Sequence, residues 1–210
     1  MSFLKEDIRF PIVASILVLI NGFMLIISFE WPRGHIGADW FNKWAIIPGK
    51  PELPQILTYC LFHFHLPHFL GVSCLLLIAG AYGEWRYGKK MILFFYIAGA
   101  TVFALISIFL LKVFLYLVPS ILLIQWFSQG LNNRIVGSSA ASFSVYGSIF
   151  PLVKASHRPF YFLGLLAAII GPIILFQTVN VGDWVHLVVP FLALGFSWMI
   201  YRRKPDFMMY

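Results

Sequence analysis

Charge is what this chain has least of. Only 11% of its 210 residues are Asp, Glu, Lys or Arg, where an ordinary soluble domain carries about 25%. Eight acids and fifteen bases cannot give a globule of this size a charged skin, so a water-soluble fold is excluded. Cysteine is nearly absent too. Cys60 and Cys74 fall in one apolar stretch. In a helix they would stand about 21 Å apart, beyond disulfide reach, so they read as packing residues and say nothing of a redox compartment. No internal repeat or low-complexity tract is visible. What is abundant is apolar mass, 60% of the chain, with 22 phenylalanines, which excludes disorder. The chain reads as an all-α integral membrane protein.

Length limits the architecture. A spanning helix takes about 20 residues, so residues 1–210 form one membrane domain. Six apolar runs qualify, over about 11–29, 56–83, 91–111, 138–153, 160–178 and 185–201. The first is too long for a signal-peptide core and lacks a small-residue cleavage site, so it reads as a retained span. Glu6 and Asp7 in the leader argue against a mitochondrial transit peptide, leaving a cell (inner) membrane as the expected location. A further run over 113–127, broken by Pro119-Ser120, would make seven spans. Basic residues arbitrate, because cytoplasmic loops collect them. Six spans with both termini inside put Lys5, Arg9, Arg86, Lys89, Lys90, Lys154, Arg158, Arg202, Arg203 and Lys204 on the cytoplasmic side, against Arg33, Lys43, Lys50, Lys112 and Arg134 outside. A seventh span reverses that bias, so 113–127 reads as an embedded or interfacial part of the third loop. The net charge of +7 is then a topology signal, and no nucleic-acid partner is expected.

Polar groups sunk into apolar spans are costly and mark candidate sites. One is His63-Phe-His65-Leu-Pro-His68. Its spacing matches no usual zinc pattern and no carboxylate is near in sequence, so no metal is expected. Interfacial histidines bonded to loop backbone and hydrogen-bond donors to a reacting oxygen remain as readings. The other is Gly137-Ser138-Ser139-Ala140-Ala141-Ser142-Phe143-Ser144. Small residues at helical spacing serve close helix packing, which accounts for Gly137, Ala140, Ala141, Ser144 and Gly147. It does not account for a span of only about 16 residues, too short to cross a bilayer, that opens in a Gly-Ser-Ser turn. Such a helix starts below the outer surface, where free backbone N–H groups beside a serine suit an oxyanion. A serine also needs a base. His186, at the outer end of the last span, has matching depth if the fourth and sixth spans pack together. Asp183 lies three residues earlier and could complete a triad, but an Asp before an apolar helix is more often an N-cap. A dyad is the expected machine.

These residues carry a resemblance to the rhomboid intramembrane serine proteases, over about residues 58–201. Leu57-Thr-Tyr-Cys-Leu-Phe-His63 with His68 resembles the family's approach to its second span. Glu84 between Gly80 and Gly88 resembles the end of that span. Gly137-Ser138-Ser139-Ala140 is similar to the nucleophile motif, and Trp184-Val-His186 to the catalytic-histidine motif. The resemblance implies a six-helix bundle with a short, recessed fourth helix. It makes Ser139 the nucleophile and His186 the base, with the Ser139 N–H and the His68 side chain as oxyanion hole. Gly137, Ser138 and His63 join the substrate-binding side, and Phe143 stands where the family commonly has a tyrosine packed on the histidine. The polar stretch 30–55 would be a membrane-embedded lateral loop. The implied activity is hydrolysis of peptide bonds in or beside transmembrane segments of membrane-protein substrates, without a cofactor.

Three departures accompany it. Val72 stands where an asparagine is expected four residues after His68. Val189 and Ala193 replace small residues, often glycine, after His186, which predicts a looser fit of the last helix on the fourth. No Trp-Arg pair precedes Thr58. The alternative is a weak or inactive relative that binds transmembrane clients. A transporter would need repeats and paired broken helices, and neither is present.

Overall fold

The computed structural model describes residues 10–31, 33–118, 131–176 and 181–203 and is mostly helical. Its surface is inverted relative to a soluble protein. Leu19, Phe23, Ile78 and Phe109 are more than half exposed, while Ser107, Ser142, Ser144 and Ser148 are fully buried. Lipid reverses the usual incentive: apolar side chains gain nothing by hiding, and hydroxyls have no solvent outside. Three helices are long and apolar enough to cross a membrane, Leu66–Tyr87, Lys89–Leu117 and Val181–Arg202, and Ile12–Ser28 and Ala155–Ile170 are shorter apolar helices.

Helix α1 is Ile12–Ser28. It leads into a two-stranded antiparallel hairpin, β1 (Phe29–Glu30) and β2 (His35–Ile36). The short helices α2 (Ala38–Trp44) and α3 (Leu53–Thr58) follow. The apolar run over 56–83 is not one helix. It passes from α3 through a 3-10 turn at Tyr59–Leu61 and an irregular stretch before α4, Leu66–Tyr87. The restart at Leu66 has a local cause: the His65 ring accepts the His68 N–H at 3.0 Å, and Pro67 sits in the first turn, where its missing donor costs nothing. The chain reverses at Gly88, whose φ of 83° favours glycine.

Helix α5 is Lys89–Leu117, with a π-helical turn at Gly99–Phe103. It corrects the expected loop at 113–127 over its first residues: the helix runs through Lys112 to Leu117. The Lys112 ammonium leaves the apolar face and donates to the Gly49 carbonyl at 3.2 Å, so it interrupts the hydropathy and not the helix. The rest of that run, from Pro119, lies outside the described residues. Helix α6 is Ser139–Ser148, α7 is Arg158–Phe176 and α8 is Val181–Arg203.

Packing centres on α6. Nine of its ten residues are buried, with α8, α4 and α5 around it and the most extensive contact made by α8. The looser fit predicted from Val189 and Ala193 is not found. Both are fully buried, and the close approach is supplied from the other side, where Gly147 lies against the Pro190 carbonyl with no room for a Cβ. Helix α1 is fixed to α4 by a different device. Ala14 packs over Gly80, and Glu84 Oε1 accepts the Ala14 N–H at 2.7 Å. A carboxylate thus meets an orphan donor at the positive end of α1.

Gly147→Val should therefore drive α6 and α8 apart, an overpacking cost of about 1–3 kcal/mol or more. Gly71, with nothing near its Cβ position, should accept alanine with unchanged or slightly raised stability. Thermal unfolding of both variants in one detergent checks the contrast.

Candidate active site

The segment before α6 is held from three directions. Ile135 pairs antiparallel with Ile46, N–H to carbonyl at 3.0 and 2.9 Å, and the Gly137 N–H donates to the Tyr59 carbonyl at 3.0 Å. Ser138 Oγ shares a 3.0 Å hydrogen bond with His63 Nε2. Gly137 has φ 136°, and a Cβ there would lie 2.5 Å from His68 Cε1. Glycine at this position allows both the backbone turn and the seat of the His68 ring.

Held this way, Ser139 is the first residue of α6. The first hydrogen bond at this end of the helix runs from the Ser142 N–H to the Ser138 carbonyl at 2.9 Å. The N–H groups of Ser139, Ala140 and Ala141 precede that bond and have no intrahelical acceptor. His186 comes from the second turn of α8, where Nε2 lies 2.7 Å from Ser139 Oγ. Phe143, one turn after Ser139 and on the same face of α6, lies against the His186 ring with centroids 4.9 Å apart and planes tilted by 31°. The start of α8 is anchored independently. Trp184 Nε1 donates to the Ser107 carbonyl at 2.8 Å, and its ring stacks on Phe114 at 5.5 Å.

A cleft of about 270 Å³ opens over the pair. His68, Gly137, Ser139, Asp183 and His186 supply polar groups to its lining, and Phe64 and Ile108 are among the apolar ones. Asp183 sits inside the first turn of α8, which corrects its reading as a cap ahead of the helix. There a carboxylate is favoured by the helix dipole.

The three neighbouring histidines divide in role. His63 braces Ser138, His65 caps α4 and His68 faces the cleft. Among the described residues no group of three or more His, Cys, Asp or Glu could hold a metal ion. The structure therefore brings together Ser139, His186, Phe143, Gly137 and His68, with Ser138 and His63 directly behind them. It adds Tyr59, the Ile46–Ile135 pairing and the Trp184–Ser107 anchor. The first two are backbone interactions that no side-chain pattern announces. Trp184 stood beside His186 in the motif without a stated role.

The fold and site define a class: a helical integral membrane protein with a serine and a histidine from different helices in hydrogen-bond contact over a cleft. A family model described as the Rhomboid domain matches residues 50–208, most of the chain, and the protein belongs to the rhomboid family. No curated protein matches it.

The His63–Ser138 pair is testable apart from any activity. His63→Ala, Ser138→Ala and the double variant should give a coupling of about 1 kcal/mol in an unfolding cycle, the value of a buried hydrogen bond. Additive losses would mean that the two side chains do not support each other.

Proposed function

We propose that the chain is an intramembrane serine endopeptidase that cleaves peptide bonds in or next to transmembrane segments of other membrane proteins. The 2.7 Å contact between His186 Nε2 and Ser139 Oγ carries the reading and weighs against an inactive client-binding relative. Ser139 Oγ attacks the scissile carbonyl carbon while His186 Nε2 takes its proton. The carbonyl oxygen becomes an oxyanion, met by the Ser139 N–H and the His68 ring at the cleft. His186 returns the proton to the leaving amine, and the C–N bond breaks to give an acyl-Ser139 ester. Water, deprotonated by His186, hydrolyses that ester and restores the hydroxyl. Phe143 limits rotation of the imidazole, and no cofactor enters the scheme.

Six spans belong to this proposal, namely α1, α4, α5, α6, α7 and α8, with both termini cytoplasmic in a cell membrane. The ten-residue α6 is about 15 Å long, half of a hydrocarbon core of about 30 Å. A helix that short leaves room for water above Ser139. The segment 30–55 is assigned to a lateral loop lying in the membrane. Substrates are expected to carry small or helix-destabilising residues near the cut, because a hydrogen-bonded helix shields its carbonyls from attack.

A fluorophosphonate probe should label the purified protein, and Ser139→Ala and His186→Ala should each lower labelling by on the order of 10³-fold or more. Equal labelling of all three proteins, or labelling of none, would reject the dyad. Val72 is buried one turn beyond His68 on α4 and has no donor to offer. Val72→Asn should leave turnover level or raise it, by at most on the order of 10²-fold. Complete loss of labelling would contradict the register of α4 that sets Val72 one turn beyond His68.

A further inference from the structure

Among the described residues one arginine lines the cleft over Ser139 and takes no part in the scheme above. Arg134 reaches the cleft from the segment before α6, five positions ahead of the nucleophile. Its backbone is held in place, because the next residue, Ile135, exchanges two hydrogen bonds with Ile46. Its side chain is exposed and makes no ion pair or hydrogen bond with a described residue. Three other cations on this side of the bundle are engaged. Arg33 pairs with Glu30 at 2.9 Å, Lys43 lies 4.9 Å from the centre of the Trp44 ring, and Lys112 donates to the Gly49 carbonyl.

A counter-charge for Arg134 is not at hand. Asp183 is the acid in the described lining, but it has a partner elsewhere and no ion pair joins it to Arg134. The stretches 119–130 and 177–180, which adjoin the described residues on this side, contain no Asp or Glu in the sequence. Much of the remaining lining is apolar, Phe41, Ile46, Phe64 and Ile108 among it. A guanidinium beside such walls is less shielded by water than one on an open surface, so a carboxylate entering the cleft meets it at a lower effective dielectric. Chain length sets the scale. Arg134 and Ser139 line one cleft, and five residues span at most about 17 Å. A peptide held extended across Ser139 covers that distance in about five residues of its own.

We propose that Arg134 selects substrates that carry Asp or Glu within about five residues of the scissile bond, in an otherwise apolar segment. The proposal rests on the endopeptidase reading and narrows its substrate class. The carboxylate accepts the paired N–H donors of the guanidinium, and its apolar neighbours take the walls of the cleft. Lysine or arginine at the same place in a substrate is repelled. Asp183 disfavours an acid near His186, which confines the preference to positions reached from Arg134.

The test measures binding first, on the full chain carrying Ser139→Ala in detergent. Dodecapeptides of Ala, Gly and Ile carry a rhodamine at one end and a single Asp, Asn or Lys that is stepped along the peptide. Fluorescence anisotropy is read against a detergent blank. At a few adjacent positions Asp should bind more tightly than Lys by on the order of tenfold, with Asn between them. Arg134→Glu in the same background should invert the order, and a ratio taken within one protein is unaffected by the fraction that folds. Lys50→Gln removes an exposed cation outside the described lining and should keep the order. With Arg134 intact, raising salt from about 20 mM to about 500 mM should shrink the preference, a reading that needs no further variant. Equal binding of the three peptides at every position, an unchanged order after Arg134→Glu, or loss of the preference in Lys50→Gln would overturn the proposal. The same peptides are then offered to the unaltered protein and the cleaved bonds read by mass spectrometry. Cleavage without a charge preference would overturn the role of Arg134 and leave the endopeptidase standing. Preferential binding without cleavage of any peptide would reject the endopeptidase and with it the substrate assignment, so the two failures are told apart.

Discussion

Ten residues with mostly small side chains, Ser139–Ser148, occupy the middle of the bundle, and the backbone approaches they permit fix the helices around them. Gly147 admits the Pro190 carbonyl, and Gly99 of α5 admits Ser144. In lipid, where apolar surface gives no net drive toward the interior, such close approach is the main source of helix association. The same approach decides the site. Ser139 and His186 stand 47 positions apart in sequence, and they meet because α6 and α8 pack without intervening bulk. Pro190 belongs to this arrangement: lacking an N–H, it cannot bond the His186 carbonyl one turn earlier.

Around that centre, polar groups act as fasteners. Asn21 Nδ2 donates to Tyr96 Oη at 2.9 Å, joining α1 to α5. Tyr87 Oη meets Ser197 Oγ at 2.6 Å and the Ser148 carbonyl at 3.2 Å, joining α4 to α8 and to the end of α6. Each bond is directional where packing alone is not. Glu84 works in the same way on α1. Glu84 and Tyr87 thus tie the helices at the end of the bundle away from Ser139, and the segment before α6 is strapped separately by Ile46, Tyr59 and His63.

Much of this was legible in the sequence, and for identifiable reasons. The scarcity of charge fixed the solvent, and the six apolar runs lie close to the six longest helices among the described residues. Ser139 and His186 were conspicuous because a hydroxyl in a small-residue turn and an imidazole in an apolar helix have few other reasons to be there. Helix ends were less legible. Hydropathy could not show that the run over 56–83 breaks at His65, because both sides of the break are apolar. It also read Lys112 as a boundary, although a long side chain can carry its charge off an unbroken helix. The fit of α8 on α6 was misjudged because attention fell on Val189 and Ala193 in α8, while the glycine that matters, Gly147, lies on the other helix. Backbone pairings such as Ile46–Ile135 leave no side-chain signature at all.

The central claim is that the packing of α6 delivers a serine to a histidine with an oxyanion site beside them. A crystal structure of the protein after reaction with a fluorophosphonate tests it most directly. The account predicts phosphorus bonded to Ser139 Oγ, with the phosphoryl oxygen about 2.7–3.1 Å from the Ser139 N–H and from a nitrogen of His68. An adduct on another residue, or a phosphoryl oxygen turned away from both donors, would contradict it.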